Sequence, residues 1–119
     1  GLGSMYELGR GGVPQDDFQA TEWYRKSAFQ GLPLGQANLG KMYATGKGGL
    51  PKDDFQAAEW YRKSALQGNP LGQNNLGTMY EQGKGRLPKN LDIAITWYRQ
   101  AAAQGYEEAK SNLQRLGAN

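Results

Sequence analysis

The chain has 119 residues, a formal net charge of +3 and a pI near 9.2, with 38% hydrophobic and 21% charged residues, the balance of one folded domain and not of a disordered chain. It contains neither cysteine nor histidine, which excludes a disulfide framework, a cysteine nucleophile and a thiolate metal site, and removes the commonest metal ligand and the commonest general base at neutral pH. No apolar run nears the ~18 residues of a membrane span, and the charges alternate in sign, so the basic balance points only weakly to an anionic partner.

From its first residues the sequence is a repeat. Leu2, Met5, Tyr6, Gly9, Pro14, Trp23, Tyr24 and Gly31 return as Leu39, Met42, Tyr43, Gly46, Pro51, Trp60, Tyr61 and Gly68, and again as Leu76, Met79, Tyr80, Gly83, Pro88, Trp97, Tyr98 and Gly105. Between residues 2–38 and 39–75, 27 of 37 aligned positions are identical, and between 39–75 and 76–112, 18 are. A fixed period in this range predicts a solenoid, in which each copy buries its apolar face only against its neighbours. Gly1 aligns with Asn38, so the first copy is expected to begin inside an element, as if cut from a longer array.

Each copy divides into two helices. Gly35, Asn38, Leu39, Met42 and Tyr43 recur at spacings of three and four, predicting helix A over about 34–45, stopped by Gly46 in a left-handed conformation. The glycines and proline of residues 46–51 form a shaped turn. Asp53 then reads as an N-cap with Gln56 three residues on, and Asp54 places negative charge at the positive end of the helix dipole. Helix B follows over about 54–67. Ala57, Trp60, Tyr61, Ser64 and Ala65 make its apolar stripe, and Glu59 and Lys63 are expected to pair on its outside. Gly68 closes it, and Asn69 with Pro70 reads as N-cap and first residue of the next helix A. In the first copy Asp16 and Asp17 open helix B; in the third Asn90 caps it. Residues 106–116 are a last helix A whose Glu107, Glu108, Lys110, Gln114 and Arg115 present the polar face of a terminal cap, read as a natural C-terminus.

The motif Leu39-Gly40-x-Met42-Tyr43, Gly46-x-Gly48, Pro51-x-Asp53, Ala57-x-x-Trp60-Tyr61-x-Lys63 and Ala65-x-Gln67-Gly68 resembles Sel1-like repeats, relatives of tetratricopeptide repeats. The resemblance covers essentially the whole chain. It implies an all-α, right-handed superhelical solenoid of antiparallel helix pairs with period 37. The expected divisions are a truncated repeat 1–33, repeats 34–70 and 71–105, and a capping helix 106–119. It also implies a scaffold that holds proteins or peptides, frequent in bacterial signalling, envelope and host-interaction proteins, with some relatives acting as inhibitors or immunity proteins that grip a toxin. The family's disulfide-bridged branch is excluded by the absence of cysteine.

Several residues invite sharper readings. Trp23, Trp60 and Trp97 could form a stacking ladder, but beside the alanines of the stripe they read as inter-helix core. The glycine loops 9–12, 46–49 and 83–85 lack the preceding strand and following Lys-Ser or Lys-Thr of a phosphate cradle, so they are turns. Asp16, Asp17, Asp53 and Asp54 recur at helix starts, where capping explains them. Asn38, Asn75 and Asn112 form a ladder that either holds the preceding copy's backbone or presents amides to a bound peptide.

Because the shared residues build the scaffold, function is sought among those that vary on helix A, which in tetratricopeptide-like stacks lines the concave face. These are Ser4 and Glu7, then Ala37, Lys41, Ala44 and Thr45, then Asn74, Thr78, Glu81 and Gln82, then Glu108, Ser111 and Arg115. With the asparagine ladder they compose a polar, mixed-charge surface suited to a protein or peptide and contain no catalytic, cofactor or metal constellation. The chain is therefore expected to be a binding module and not an enzyme. An RNA-binding array is the less favoured alternative, since Glu7, Glu81 and Glu108 interrupt any basic track of Lys41 and Arg115. Leu2, Met5 and Tyr6, without a preceding copy, are expected either to drive end-to-end self-association or to leave the first helix frayed.

Overall fold

The computed structural model describes residues 14–118, and those residues form six α-helices and no strand. They are α1 (Pro14–Phe29), α2 (Pro33–Thr45), α3 (Asp54–Leu66), α4 (Pro70–Gln82), α5 (Leu91–Ala103) and α6 (Glu107–Arg115). In the repeat, α2, α4 and α6 are A helices and α1, α3 and α5 are B helices. The expectations for Leu2, Ser4, Met5, Tyr6, Glu7 and the loop 9–12 lie outside the described residues. One boundary moves: α1 starts at Pro14, ahead of the expected Asp16 and Asp17, whereas the aligned Pro51 and Pro88 lie before α3 and α5.

The caps are those the punctuation predicted. The Asp53 carboxylate accepts from the Gln56 N–H at 3.0 Å and the Asn90 amide oxygen from Ile93 N–H at 3.0 Å. Asn69 accepts from Gly72 N–H at 3.0 Å, with Pro70 as first residue. Gly46 and Gly83 end their helices at φ 70° and 66°, each donating its N–H to a methionine carbonyl, Met42 or Met79. The loops then return through Asp53 N–H to Tyr43 O and Asn90 N–H to Tyr80 O, both 2.9 Å.

The core is shared between copies. Ala57, Ala58, Tyr61 and Ala65 of α3 pack with Leu76 and Met79 of α4, the A helix of the next copy. In the same way Ala20, Tyr24 and Ala28 of α1 pack with Leu39 and Met42 of α2, and Ala94 and Tyr98 of α5 with Leu113 of α6. Close approach is permitted by glycine. A Cβ on Gly40 would stand 2.7 Å from the Tyr61 ring and 3.2 Å from the Ala57 carbonyl; on Gly77 it would stand 2.8 Å from the Tyr98 ring and 3.1 Å from the Ala94 carbonyl.

Two expectations for helix B are corrected. Trp60 is buried and Trp97 half-buried, but Trp23 is 43% exposed and is not core. The reason is in the stacking: the Phe29 ring at the end of α1 meets Trp60 edge-on, with centroids 5.3 Å apart, whereas no described helix precedes α1 to cover Trp23. Glu59 and Lys63 do not pair. Lys63 instead lies over the Trp60 ring, Nζ 4.5 Å from its centroid, where its stem and charge both find favourable contact.

Candidate functional site

The helical period places Asn38, Lys41 and Thr45 on one face of α2 and Asn75, Thr78 and Gln82 on the matching face of α4. Between the two helices opens a cleft of about 220 Å³, walled by Lys41 and Ala44 from α2, Asp54 and Tyr61 from α3, Asn75, Thr78, Met79 and Gln82 from α4, and Lys84 from the following loop. A smaller hollow of about 80 Å³ adjoins Asn38, Lys41, Thr45 and Lys47. Lys41 borders both. Burial pushes the Tyr61 pKa well above that of free tyrosine, with the Asn75 amide acting in the opposite sense, so the phenol is neutral at any physiological pH.

One copy further on, the equivalent space is filled. Where the first interface has Ala44 and Thr78, the second has Glu81 and Arg115, and their side chains meet: Arg115 donates from both terminal nitrogens to Glu81, at 2.9 and 2.7 Å. Tyr98 donates to the same carboxylate at 2.7 Å and lies 3.1 Å from the Thr78 hydroxyl. Arg115 holds the Glu81 carboxyl below its usual range, and burial with help from Glu81 lifts the Tyr98 pKa to about 12. Asn112 donates to Asn74 at 2.9 Å and accepts from Arg115 at 3.1 Å; Asn74, itself buried, donates to Asn75 at 3.3 Å and reaches Glu108 at 3.5 Å.

The twelve candidate positions therefore separate into two groups. Asn74, Glu81, Asn112 and Arg115 are joined in a network that ties α6 to α4, with Thr78 and Glu108 at its margins. Lys41, Gln82 and Ser111 are exposed, and no described residue bonds their side chains; Asn38 is half-buried at the smaller hollow. Thr45 is exposed but its hydroxyl turns back to the Lys41 carbonyl at 2.9 Å. The asparagine ladder differs from its first alternative: Asn75 and Asn112 bond side chains, not the preceding copy's backbone.

Sequence reasoning passed over a second polar seam, at the opposite ends of the helices. Gln67 donates to Gln36 at 2.7 Å, and Gln104 donates to Gln73 at 3.0 Å and to the Gly68 carbonyl at 2.8 Å. Gln36 and Gln73 are buried. Their recurrence at the 37-residue period is the signal that could have found them.

A sequence model of the Sel1 repeat matches three consecutive segments, residues 1–32, 33–69 and 70–106. The chain belongs to the Sel1 repeat family. Among curated protein sequences none matches it. Several solved structures are similar, among them two Sel1-type proteins. One is the crystal structure of a protective antigen present in uropathogenic Escherichia coli strains and displaying an SLR fold, with TM-score 0.81 and 41% identity over 94% of this chain. The other is a Sel1 repeat protein from Oxalobacter formigenes, with TM-score 0.78 and 44% identity over 96% of this chain. The chain spans 23% of the length of the first and 84% of the second. Sel1 repeat proteins are helical solenoids that generally serve as scaffolds for protein interaction and are typically non-catalytic. No described helix is long and apolar enough to cross a membrane.

Proposed function

We propose that this Sel1 repeat chain holds a protein or peptide partner on the face lined by its A helices, and that the cleft between α2 and α4 is the centre of that surface. The observation that carries this reading is the lining of the cleft. Lys41, Thr78 and Gln82 differ from their counterparts in the other copies and are open to solvent or half so, whereas the shared Tyr61, Tyr98, Ala57, Ala94, Gly40 and Gly77 are buried. Side chains that vary at one register position, on a rigid frame that does not vary, are what a repeat array uses to distinguish partners.

The packing supports the same face. Helices α2 and α4 pack directly on each other, while α1 and α3 meet across two large rings, Phe29 and Trp60. We take the A side as the inside of the bend, where an extended partner fits. Lys41→Glu is expected to weaken binding of the partner by about 1–3 kcal/mol and to leave stability within a few tenths of a kcal/mol. Arg62→Glu, exposed on α3, is the control. The partner is obtained by placing a photo-crosslinking residue at Gln82, or in the control chain at Arg62, and both variants are then measured against it by titration calorimetry. Crosslinking from Arg62 alone, or a loss of binding in Arg62→Glu with Lys41→Glu intact, would move the site to the B helices.

A further inference from the structure

The charges around the α2–α4 cleft do not cancel. Asp54 is its one acidic wall residue, and it is held by Lys52, Nζ to Oδ1 3.1 Å and to Oδ2 3.2 Å. The neighbouring Glu81 is engaged twice over by Arg115 and once by Tyr98. What is left on the rim is Lys41 from α2 and Lys84 from the loop after α4, both exposed and neither paired with a described residue, and the exposed Gln82 amide between their two elements. Lys47, beyond Lys41 on the smaller hollow, adds a further cation on the same side. The cleft volume of about 220 Å³ falls below the roughly 300–1,000 Å³ of small-ligand pockets. It suits a side chain or two inserted from a larger partner.

We infer that the partner segment held between α2 and α4 is acidic: an extended stretch of protein whose aspartate or glutamate side chains enter the cleft between Lys41 and Lys84. This deepens the proposed function and rests on it. The occupant is a protein carboxylate and not a nucleic acid backbone because the cations are few and discontinuous, the Asp54 and Glu81 carboxylates lie beside them, and the one aromatic ring in the wall, Tyr61, is buried and offers no face for a base to stack on. Glu7 occupies the register position of Glu81 one copy before α2, in the stretch outside the described residues, so its influence on Lys41 is part of the test.

The probe is a short peptide of alternating glutamate and serine, blocked at both ends and fluorescently labelled, titrated against the whole chain by anisotropy at low and at physiological salt. Its glutamine-for-glutamate counterpart and an oligouridylate of equal charge serve as comparisons. The acidic peptide is expected to bind, to weaken several-fold as salt rises, and to lose about tenfold or more when Lys41→Glu and Lys84→Glu are combined. Arg62→Glu should change it less than about twofold, and Glu7→Gln should leave it equal or tighter. Equal binding of the glutamine peptide, indifference to the two lysine reversals, or weakening by Glu7→Gln would overturn the inference. Tighter binding of the oligouridylate through the same lysines would overturn it in favour of nucleic acid. If the acidic peptide fails while a protein still crosslinks at Gln82, the inference falls and the A-face reading stands; crosslinking from Arg62 alone removes both.

Discussion

Gly77 sets a helix-propensity gain against a packing cost, and the distances decide between them. Alanine in place of glycine within a helix is worth about 1 kcal/mol of propensity. At Gly77, however, the new Cβ would stand 2.8 Å from the Tyr98 ring and 3.1 Å from the Ala94 carbonyl, and the second of these is backbone on a packed helix and does not yield. Tyr98 is itself fully buried and hydrogen-bonded through its hydroxyl to Glu81, so its ring has little freedom to move. Gly77→Ala is therefore expected to destabilise the chain by about 1–3 kcal/mol despite the better propensity, and Gly77→Leu by more. Chemical denaturation of the two variants checks this; an unchanged midpoint in Gly77→Leu would mean that the helices do not press together there.

Helices α2 and α4 differ at their starts in one residue that matters. Both begin with proline, and the preceding residues have nearly the same backbone, φ −79° and ψ 124° at Leu32, φ −74° and ψ 123° at Asn69. Only Asn69 caps; Leu32 is half exposed and makes no side-chain cap. Leu32→Asn should supply the missing acceptor to the Gly35 N–H and raise unfolding free energy by about 1 kcal/mol, while Leu32→Ala should not. Helix α6 depends instead on charge. Arg115 depresses the Glu81 pKa in the folded state below its ordinary value of 4.5. A carboxyl with a lowered folded pKa contributes stability that is fully present above the unfolded value and is lost as pH falls through the folded one. Acidification below the ordinary carboxylate range should thus loosen α6 from α4 before the rest of the chain. The protection of the amides in residues 107–115, taken relative to their intrinsic exchange rates, should fall as pH falls, and Glu81→Gln should flatten that response.

Across the whole molecule, polar contacts join the two helices of each copy and, through the Gln104 amide donating to the Gly68 carbonyl at 2.8 Å, one copy to the next. The Gln67–Gln36 and Gln104–Gln73 bonds cross from each B helix to the A helix before it, and Gln36 and Gln73 are buried, so removing a partner strands a desolvated amide oxygen. Each of Gln67→Ala and Gln104→Ala should cost about 1–3 kcal/mol. In a stack whose stability is a sum of unit and interface terms, the double variant should also unfold less cooperatively, with a smaller dependence on denaturant. A lowered midpoint with an unchanged slope would show that the seam stabilises the units without coupling them.

The sequence by itself determined the fold: the 37-residue period, both helices of the copies described, the caps at Asp53, Asn69 and Asn90, and the stops at Gly46 and Gly83. All of these are local rules of helix geometry, repeated until chance is excluded. The twelve candidate residues were chosen by the same logic, and there the periodicity was insufficient. It placed them on a common face but did not say which would find partners within the chain, because that depends on side chains two elements away. Arg115 and Thr78 hold one register position; the first reaches Glu81 and closes its interface, and the second faces Ala44 and leaves a cleft. Trp23 and Trp60 likewise share a position, yet one is 43% exposed and the other 8%, because only Trp60 has a Phe29 to cover it. Burial and pairing belong to the assembled stack, where each residue's neighbours come from another copy, and only the tertiary structure decides them.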